Sequence, residues 1–250
     1  MTDAVFTNLA PLAQADLLGV LADAFNSPAS AHSLIETKLE DLRALIDTAG
    51  FAGAEGLVAA INELHARVSA ASLDQIEAEH ARAFWAQSDC PPYESAFVRR
   101  DKGAILGDIA GFYEAFGVRA DQPGERRADH RVCELEFLAA LLVMAVRAKA
   151  EGEPERTTVT QTAIDSFVWE HLGDWLPTFC ERLSATVPGG VLEAAATALG
   201  LLWDSLVLAH NWPAGDSAAF VADDGTPYEC PMAAEEQWTP VEFDPGVPQS

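Results

Sequence analysis

Two short segments of this 250-residue chain combine side chains that could do chemistry. Residues 90–95 read CPPYES, and residues 129–137 read DHRVCELEF. His130 beside carboxylates could serve as a general base, and Ser95 is the candidate nucleophile for it. That chemistry needs oxyanion donors and an orienting partner, but no G-x-S-x-G elbow surrounds Ser95. Three roles therefore stay open for His130: a place in the network at a helix start, contact with a ligand, or acid–base catalysis.

The neighbours of His130 predict how that helix begins. Asp129 is the expected N-cap, because a carboxylate accepts free backbone N–H groups and suits the positive end of a helix. Glu134 lies four residues after His130 on the same helix face, close enough for a hydrogen bond between the two side chains.

Metal chemistry is a further alternative, because helical bundles can assemble metal sites from facing helices. The conceivable ligands are His80, His130 and His171 with Glu79 or Glu134. Neither an H-E-x-x-H spacing nor a pair of E-x-x-H motifs occurs, and the four cysteines lack the close pairs that zinc or iron–sulfur sites need. No glycine-rich phosphate loop is present either. The sequence therefore predicts no metal and no cofactor.

The first segment suits binding better than catalysis. Pro91 and Pro92 hold the chain near polyproline geometry, so that Tyr93 offers contact area at little entropic cost. With Phe84 and Trp85 on the preceding helix, Tyr93 could line a groove for an apolar helix or an extended peptide. Ordinary core packing is the alternative for Phe84. From the residues alone, a binding module is favoured over an enzyme.

Apolar residues at helical spacing predict the elements that position these segments. Eight helices are expected, over about 9–26, 31–48, 54–70, 72–84, 102–116, 129–150, 157–184 and 189–210. Ser72 and Gln75 predict a capping box, and Gly173 and Pro177 predict a bend in the seventh helix. No alternating strand pattern is convincing. The predicted fold is all-α, a single-domain bundle of about eight helices over residues 1–210.

Residues 211–250 differ from the rest of the chain. They contain six prolines and neither lysine nor arginine, with eight acids among them. This composition predicts an irregular acidic tail, and its aromatic residues allow it either to pack on the body or to extend from it.

Charge limits the possible partners. With 39 acidic and 15 basic residues the net charge is -24, which disfavours nucleic acid and anionic membrane as partners. The charge favours a basic partner, or serves only solubility. The Arg-Arg pairs at 99–100 and 126–127 are interpreted as solvated charge.

Three features predict the cellular location. Widely spaced cysteines suit reduced thiols in the cytosol, and the N-terminus lacks the basic segment of a signal peptide. The longest apolar run, residues 137–146, is too short to span a bilayer. We expect a cytoplasmic protein with no stable membrane insertion.

The order of four motifs resembles the TorD/DmsD/NarJ family of redox-enzyme maturation chaperones. These motifs are EHARAF at 79–84, PPYES at 91–95, DHRVCELEF at 129–137 and HLGDWLPTF at 171–179. The resemblance covers about residues 10–210. It implies an all-helical cytoplasmic chaperone that is not an enzyme. Its partner would be the catalytic subunit of a molybdopterin-containing oxidoreductase, held by its twin-arginine signal peptide or as apoprotein until the cofactor is inserted.

The resemblance also implies which residues bind the client: Phe84, Pro91, Pro92, Tyr93, Glu94, Ser95, Asp129 and His130, with Glu134 and Phe137 on the following helix. The apolar part of a leader is expected on Phe84, Tyr93 and the 137–141 face. Its two arginines are expected on carboxylates such as Glu94 or Asp129. The main alternative is an assembly factor that grips the mature subunit, and the other is a hydrolase-like or metal-binding enzyme that uses His130. A monomer and a homodimer are both compatible with the sequence.

Overall fold

The computed structural model describes residues 2–85, 88, 90–118 and 126–212, with side chains from residue 9 onward. These ranges contain ten α-helices and no strand of a sheet. The helices are α1 (Thr2–Asn26), α2 (Pro28–Ser33), α3 (Leu39–Ala49), α4 (Glu55–Ala70), α5 (Leu73–Phe84), α6 (Lys102–Ala115), α7 (Arg131–Glu151), α8 (Pro154–Phe167), α9 (Gly173–Thr186) and α10 (Val191–His210). The all-α prediction is confirmed. The predicted tail lies outside the described residues from position 213 onward, so its separation from the body stays a prediction.

Two of the eight predicted helices are divided in the structure, which accounts for the count of ten. The helix expected over 31–48 is interrupted because Thr37 and Lys38 adopt extended backbone angles between α2 and α3. The helix expected over 157–184 passes through one π-helical turn, Val168–Leu172, between α8 and α9. Pro177, in the first turns of α9, has no N–H to donate to the carbonyl group of Gly173. This π turn immediately precedes Gly173, and the bend predicted at Gly173 and Pro177 stays a prediction.

Local sequence signals set several of the helix ends. Ser72 accepts from the backbone N–H of Gln75, and the Gln75 side chain accepts from the N–H of Ser72, so the predicted capping box is confirmed. Gly50 ends α3 at φ +70°, and Gly117 follows α6 at φ +66°. Glycine adopts this left-handed conformation without the steric penalty that a side chain brings.

Helix α7 is central to the bundle. It packs along α1 and α8, while α10 packs against α4, α9 and α1. Phe137 of α7 lies among Phe112, Tyr113 and Phe167, with ring centroids 4.7 Å away for Tyr113 and 4.9 Å for Phe167. This aromatic cluster fixes α6 and α8 against α7, and so places the N-terminus of α7 beside the 90–98 loop.

Helix α10 is long and apolar enough, by length and composition, to cross a membrane. Of its apolar window, 56% is buried inside the bundle, as in the core helix of a globular domain. It contacts α4, α5 and α9 as well as α1. Its place in the core therefore accounts for its apolar character.

Candidate functional site

The structure joins the two chemically distinctive segments through their backbones. The N–H of Glu94 donates to the carbonyl of Asp129 at 2.9 Å, and the N–H of Arg131 donates to the carbonyl of Pro92 at 3.0 Å. These bonds make an antiparallel bridge between Tyr93 and His130, whose rings meet edge to face at 5.6 Å. The two segments therefore run side by side in direct contact, and no groove separates them at this bridge.

The carboxylate of Glu94 is completely buried and binds two side chains. One oxygen accepts from the Arg100 guanidinium, and the other accepts from Nδ1 of His171 at 2.9 Å. His171 comes from the π-helical turn, and its Nε2 lies 3.4 Å from a carboxylate oxygen of Asp108 on α6. Arg100 also donates to the carbonyl of Glu170. The 90–98 loop is thus tied to the π turn.

Asp129 is also completely buried, and it stabilises the other side of the loop. Its carboxylate accepts from Arg127 at 2.6 Å and from the backbone N–H of Ser95 at 3.3 Å. Arg127 donates to the Ser95 hydroxyl oxygen as well, and its guanidinium lies 4.1 Å from the centroid of the Tyr93 ring. Arg127 therefore connects the carboxylate, the serine and the aromatic ring of this segment.

The N-cap of α7 is His130, and the prediction that Asp129 caps this helix is wrong. Nδ1 of His130 accepts from the backbone N–H of Val132 at 3.3 Å, while the Asp129 carboxylate is used by Arg127 and Ser95. The expected hydrogen bond from His130 to the Glu134 side chain is also not formed, because Glu134 turns inward to accept from Trp175 Nε1 at 3.1 Å.

The ring of His130 is held neutral. Burial lowers its pKa to about 3, and the nearby positive charges of Arg131, Arg126 and Arg127 act in the same direction. The Ser95 hydroxyl oxygen accepts from Arg127 and shows no hydrogen bond to His130 within the described part of the chain. This geometry favours a structural and contact role for His130 over general-base catalysis.

The three histidines that could have held a metal are used separately. His80 packs on Phe84, His130 caps α7 and His171 pairs with Glu94. Within the described ranges, no group of three or more His, Cys, Asp or Glu side chains converges as metal ligands would.

Glu134 and Phe137 do not lie on the surface on which the resemblance predicts them. Glu134 has no exposed area and Phe137 is 1% exposed, because this face of α7 packs against α6, α8 and α9. The same holds for Leu138 and Leu141 on the 137–141 face, which are completely buried. A client cannot touch these residues in this conformation. The prediction that they contact the client is therefore corrected: they support the site from the core.

The exposed part of the site consists of rings and prolines from the end of α5 and from the 90–98 loop. Pro91, Pro92, Tyr93 and Phe84 are half-buried, and Trp85 is 76% exposed. We call these five residues the aromatic–proline surface. Arg131 links the two segments, because its guanidinium contacts Phe84 and its backbone N–H binds Pro92. Phe84 therefore contributes to the surface as well as to the packing beneath it.

Three of the residues that position the site were not identified from the sequence: Arg100, Arg127 and His171. Arg100 and Arg127 belong to the two Arg-Arg pairs interpreted as solvated charge, yet each holds a fully buried carboxylate. His171 enters the sequence analysis as a conceivable metal ligand and as the first residue of the fourth motif, but not as a partner of Glu94. Their partners lie 6, 2 and 77 residues away, and no motif spacing marks such pairs.

Glu134 predicts a pH dependence of stability. Burial raises its pKa well above the ordinary 4.5, and the nearby charge of Glu94 adds to the effect. A carboxyl group with a higher pKa in the folded than in the unfolded state stabilises the fold fully below the unfolded value. That contribution is lost as the pH rises through the folded value. We expect the unfolding free energy to fall with rising pH above 4.5 through this group, and Glu134→Gln to flatten the fall.

Urea unfolding at a series of pH values measures that slope. Glu155→Gln, at an exposed position of α8, is the control and should leave the slope as in the wild type. An equally steep slope in Glu134→Gln would show that another group is responsible.

The geometry defines an all-helical bundle in which two buried ion pairs, Arg100–Glu94 and Arg127–Asp129, hold the 90–98 loop. The family is given by comparison with known proteins. A family model described as nitrate reductase delta subunit matches residues 33–181, and the chain belongs to this family. The predicted membership of the TorD/NarJ type is confirmed.

Relatives of known role share about a third of their aligned residues with the chain. The chlorate reductase assembly chaperone protein of Ideonella dechloratans is 36% identical over 120 residues, 47% of this chain and 56% of that protein. The selenate reductase assembly chaperone protein of Thauera selenatis is 34% identical over 153 residues, 58% of this chain and 73% of the relative. Chaperone protein TorD of Vibrio cholerae is 33% identical over 109 residues, 42% and 47% of the two chains. The chain thus spans about half to three quarters of the relatives' length, and no solved structure matches it significantly.

Proposed function

We propose that this protein is a cytoplasmic chaperone for the assembly of a molybdopterin-containing oxidoreductase. It binds the twin-arginine leader of the catalytic subunit, or its apoprotein, until the cofactor is inserted. The observation that carries the proposal is the similarity to proteins named as assembly chaperones of chlorate and selenate reductases. The family named in the sequence comparison and the one implied by the four motifs agree.

The aromatic–proline surface is the proposed binding site for the apolar part of the leader. Tyr93 is held in place by the bridge to His130 and by Arg127, and Phe84 lies at the end of α5. Rigid aromatic rings bind an apolar segment without losing much conformational freedom. The net charge of -24 attracts a basic leader from a distance.

The arginines of the leader need partners other than Glu94 and Asp129. Both carboxylates are completely buried and already bind Arg100 and Arg127. We therefore assign the Glu94 and Asp129 carboxylates the role of holding the loop. The arginines of the leader are assigned to other, exposed acidic side chains.

Binding of a leader peptide tests the proposal. The probe is a fluorescein-labelled peptide with a twin-arginine motif followed by about ten apolar residues, and we expect a Kd of about 1 μM or tighter. Tyr93→Ala should weaken binding about 30-fold, because truncating a central aromatic anchor costs about 2 kcal/mol. Tyr93→Phe keeps the ring and should bind as the wild type does.

The variant His130→Asn distinguishes the contact of the His130 ring with Tyr93 from the role of His130 as the N-cap of α7. Asparagine is among the best N-cap residues, so the start of α7 is kept while the ring against Tyr93 is lost. We expect weaker leader binding at nearly unchanged thermal stability. If both Tyr93→Ala and His130→Asn bind normally, the aromatic–proline surface is not the binding site.

The runner-up is a chaperone that grips the mature catalytic subunit. A subunit without its leader that still co-purifies with the protein would favour that function over leader binding. Loss of co-purification on leader deletion would support the proposal as stated.

A further inference from the structure

Arg131, the first residue of α7, is a buried cation without an acid partner among the described residues. Its side chain is 3% exposed, and Nη2 donates to the carbonyl of Phe25 at the end of α1 at 2.6 Å. Nε and Nη1 have no acceptor within the described ranges. Burying N–H donors without acceptors is costly. Such an arrangement is therefore unusual unless a bound molecule supplies the acceptors.

Aromatic rings surround the guanidinium but do not satisfy those donors. The centroid of the Phe84 ring lies 3.8 Å from the guanidinium carbon, and that of Phe179 lies 5.7 Å away. Cation–π contacts stabilise the charge from above the ring plane, but the in-plane N–H groups still need acceptors.

His80 is a second incompletely bonded group in contact with Phe84. It is 7% exposed and packs on Phe84 with ring centroids 5.4 Å apart. Burial lowers its pKa to about 4, and the charge of Arg131 acts in the same direction, so the ring is neutral. A hydrogen bond to the backbone of Ala24 acts against this lowering of the pKa, and Nε2 has no partner among the described residues. A neutral ring that carries its proton on Nδ1 presents Nε2 as a free acceptor.

The guanidinium of Arg131 and the ring of His80 thus both contact Phe84. A peptide group carries the matching pair, a carbonyl oxygen and an N–H. A simple anion would use the donors of Arg131 but would leave Nε2 of His80 unbonded. The backbone N–H of Arg131 also binds Pro92, which places this cluster directly beside the aromatic–proline surface.

We propose that Arg131 and His80 bind a main-chain peptide group of the client, the carbonyl on Arg131 and the N–H on Nε2 of His80. Phe84 turns outward as the client enters, and its ring then packs on the client's apolar side chains. The inference rests on the proposed function and adds main-chain recognition to it. Main-chain recognition accepts leaders of different sequence, because every residue other than proline presents the same two groups.

The experiment compares Arg131→Met and His80→Phe with the wild type, using the labelled twin-arginine peptide. Each substitution introduces an apolar side chain of similar size that lacks the hydrogen-bonding group. We expect each to weaken binding about tenfold or more, measured at a temperature at which circular dichroism shows the variant to be folded. Arg147→Met, at an exposed position near the other end of α7, is the matched control and should bind normally.

Different outcomes separate the inference from the function on which it rests. A wild-type protein that binds no leader peptide overturns the proposed function. A wild type that binds, with Arg131→Met and His80→Phe binding equally well, overturns only the inference. A loss of binding that merely follows the unfolded fraction also overturns it.

An internal partner for Arg131 is tested in the same way. Asp89 lies outside the described residues and is the acid nearest to Cys90 in the sequence. If Asp89→Asn and Arg131→Met have non-additive effects on the unfolding free energy, the two residues pair with each other and the donors of Arg131 are not reserved for a client. Additive effects support the proposal.

Discussion

Arg100→Met is expected to lower the unfolding free energy by about 3 kcal/mol, the lower end of what breaking a buried ion pair costs. The reason is that Glu94 has no exposure and cannot turn to water when its arginine is removed. Arg100 is itself 38% exposed, so part of its charge is already solvated, which keeps the cost at the lower end. Chemical denaturation with urea measures the change.

Glu94→Gln should cost less than Arg100→Met. The remaining Arg100 can move into water, and a glutamine keeps an oxygen that can accept from His171. Arg147→Met is the matched surface control: Arg147 is 67% exposed and pairs with Glu151 one turn later, so we expect a change of less than about 0.5 kcal/mol. An equal effect of Arg100→Met and Arg147→Met would show that the buried carboxylate does not depend on Arg100.

Local patterns were enough to predict the elements of the fold. The capping box at Ser72 and the stop at Gly117 are both signals within a few residues of the feature that they cause. Such signals act through short-range backbone geometry, so they can be recognised without knowing the tertiary structure. The division of the 31–48 helix was missed because its apolar spacing continues across the extended residues Thr37 and Lys38.

The orientation of α7 could not be predicted in the same way. Its residues are apolar over most of its circumference, and buried side chains occur on several faces, including Leu135, Phe137 and Leu142. Periodicity therefore did not distinguish the face that packs on α6 and α8 from a face that is open to a client. Placing Phe137 required the positions of Phe112 and Phe167, which are distant in sequence.

The ion pairs of the site were unpredictable for a related reason. An arginine beside another arginine looks like solvated charge unless the carboxylate that it meets is known. Arg127 binds Asp129, two residues away, and both also bind Ser95, which the fold brings from 32 and 34 residues earlier in the chain. The two central motifs carried the information that the segments meet, but not which charges hold them.

Phe137→Ala should be the most destabilising single truncation in this region, by about 3–5 kcal/mol. Phe137 is 1% exposed and contacts rings from α6 and α8, so its removal leaves a cavity that these helices cannot easily close. Val143→Ala, on the same helix at a position 43% exposed, is the control and should change stability by less than about 0.5 kcal/mol. Thermal and urea unfolding measure both.

A third variant decides what Phe137 contributes to the proposed binding. Phe137→Leu keeps most of the volume and should cost about 1–2 kcal/mol, leaving a folded protein whose leader binding can be measured. If Phe137 only supports the core, the folded Phe137→Leu protein binds the leader as the wild type does, because Tyr93 and Phe84 lie at the surface while Phe137 does not. A loss of affinity in the folded variant would mean that the client reaches the aromatic cluster, which requires α6 or α8 to move away from α7. Binding that falls only with the folded fraction would place Phe137 among the residues that hold the surface and not among those that touch the client.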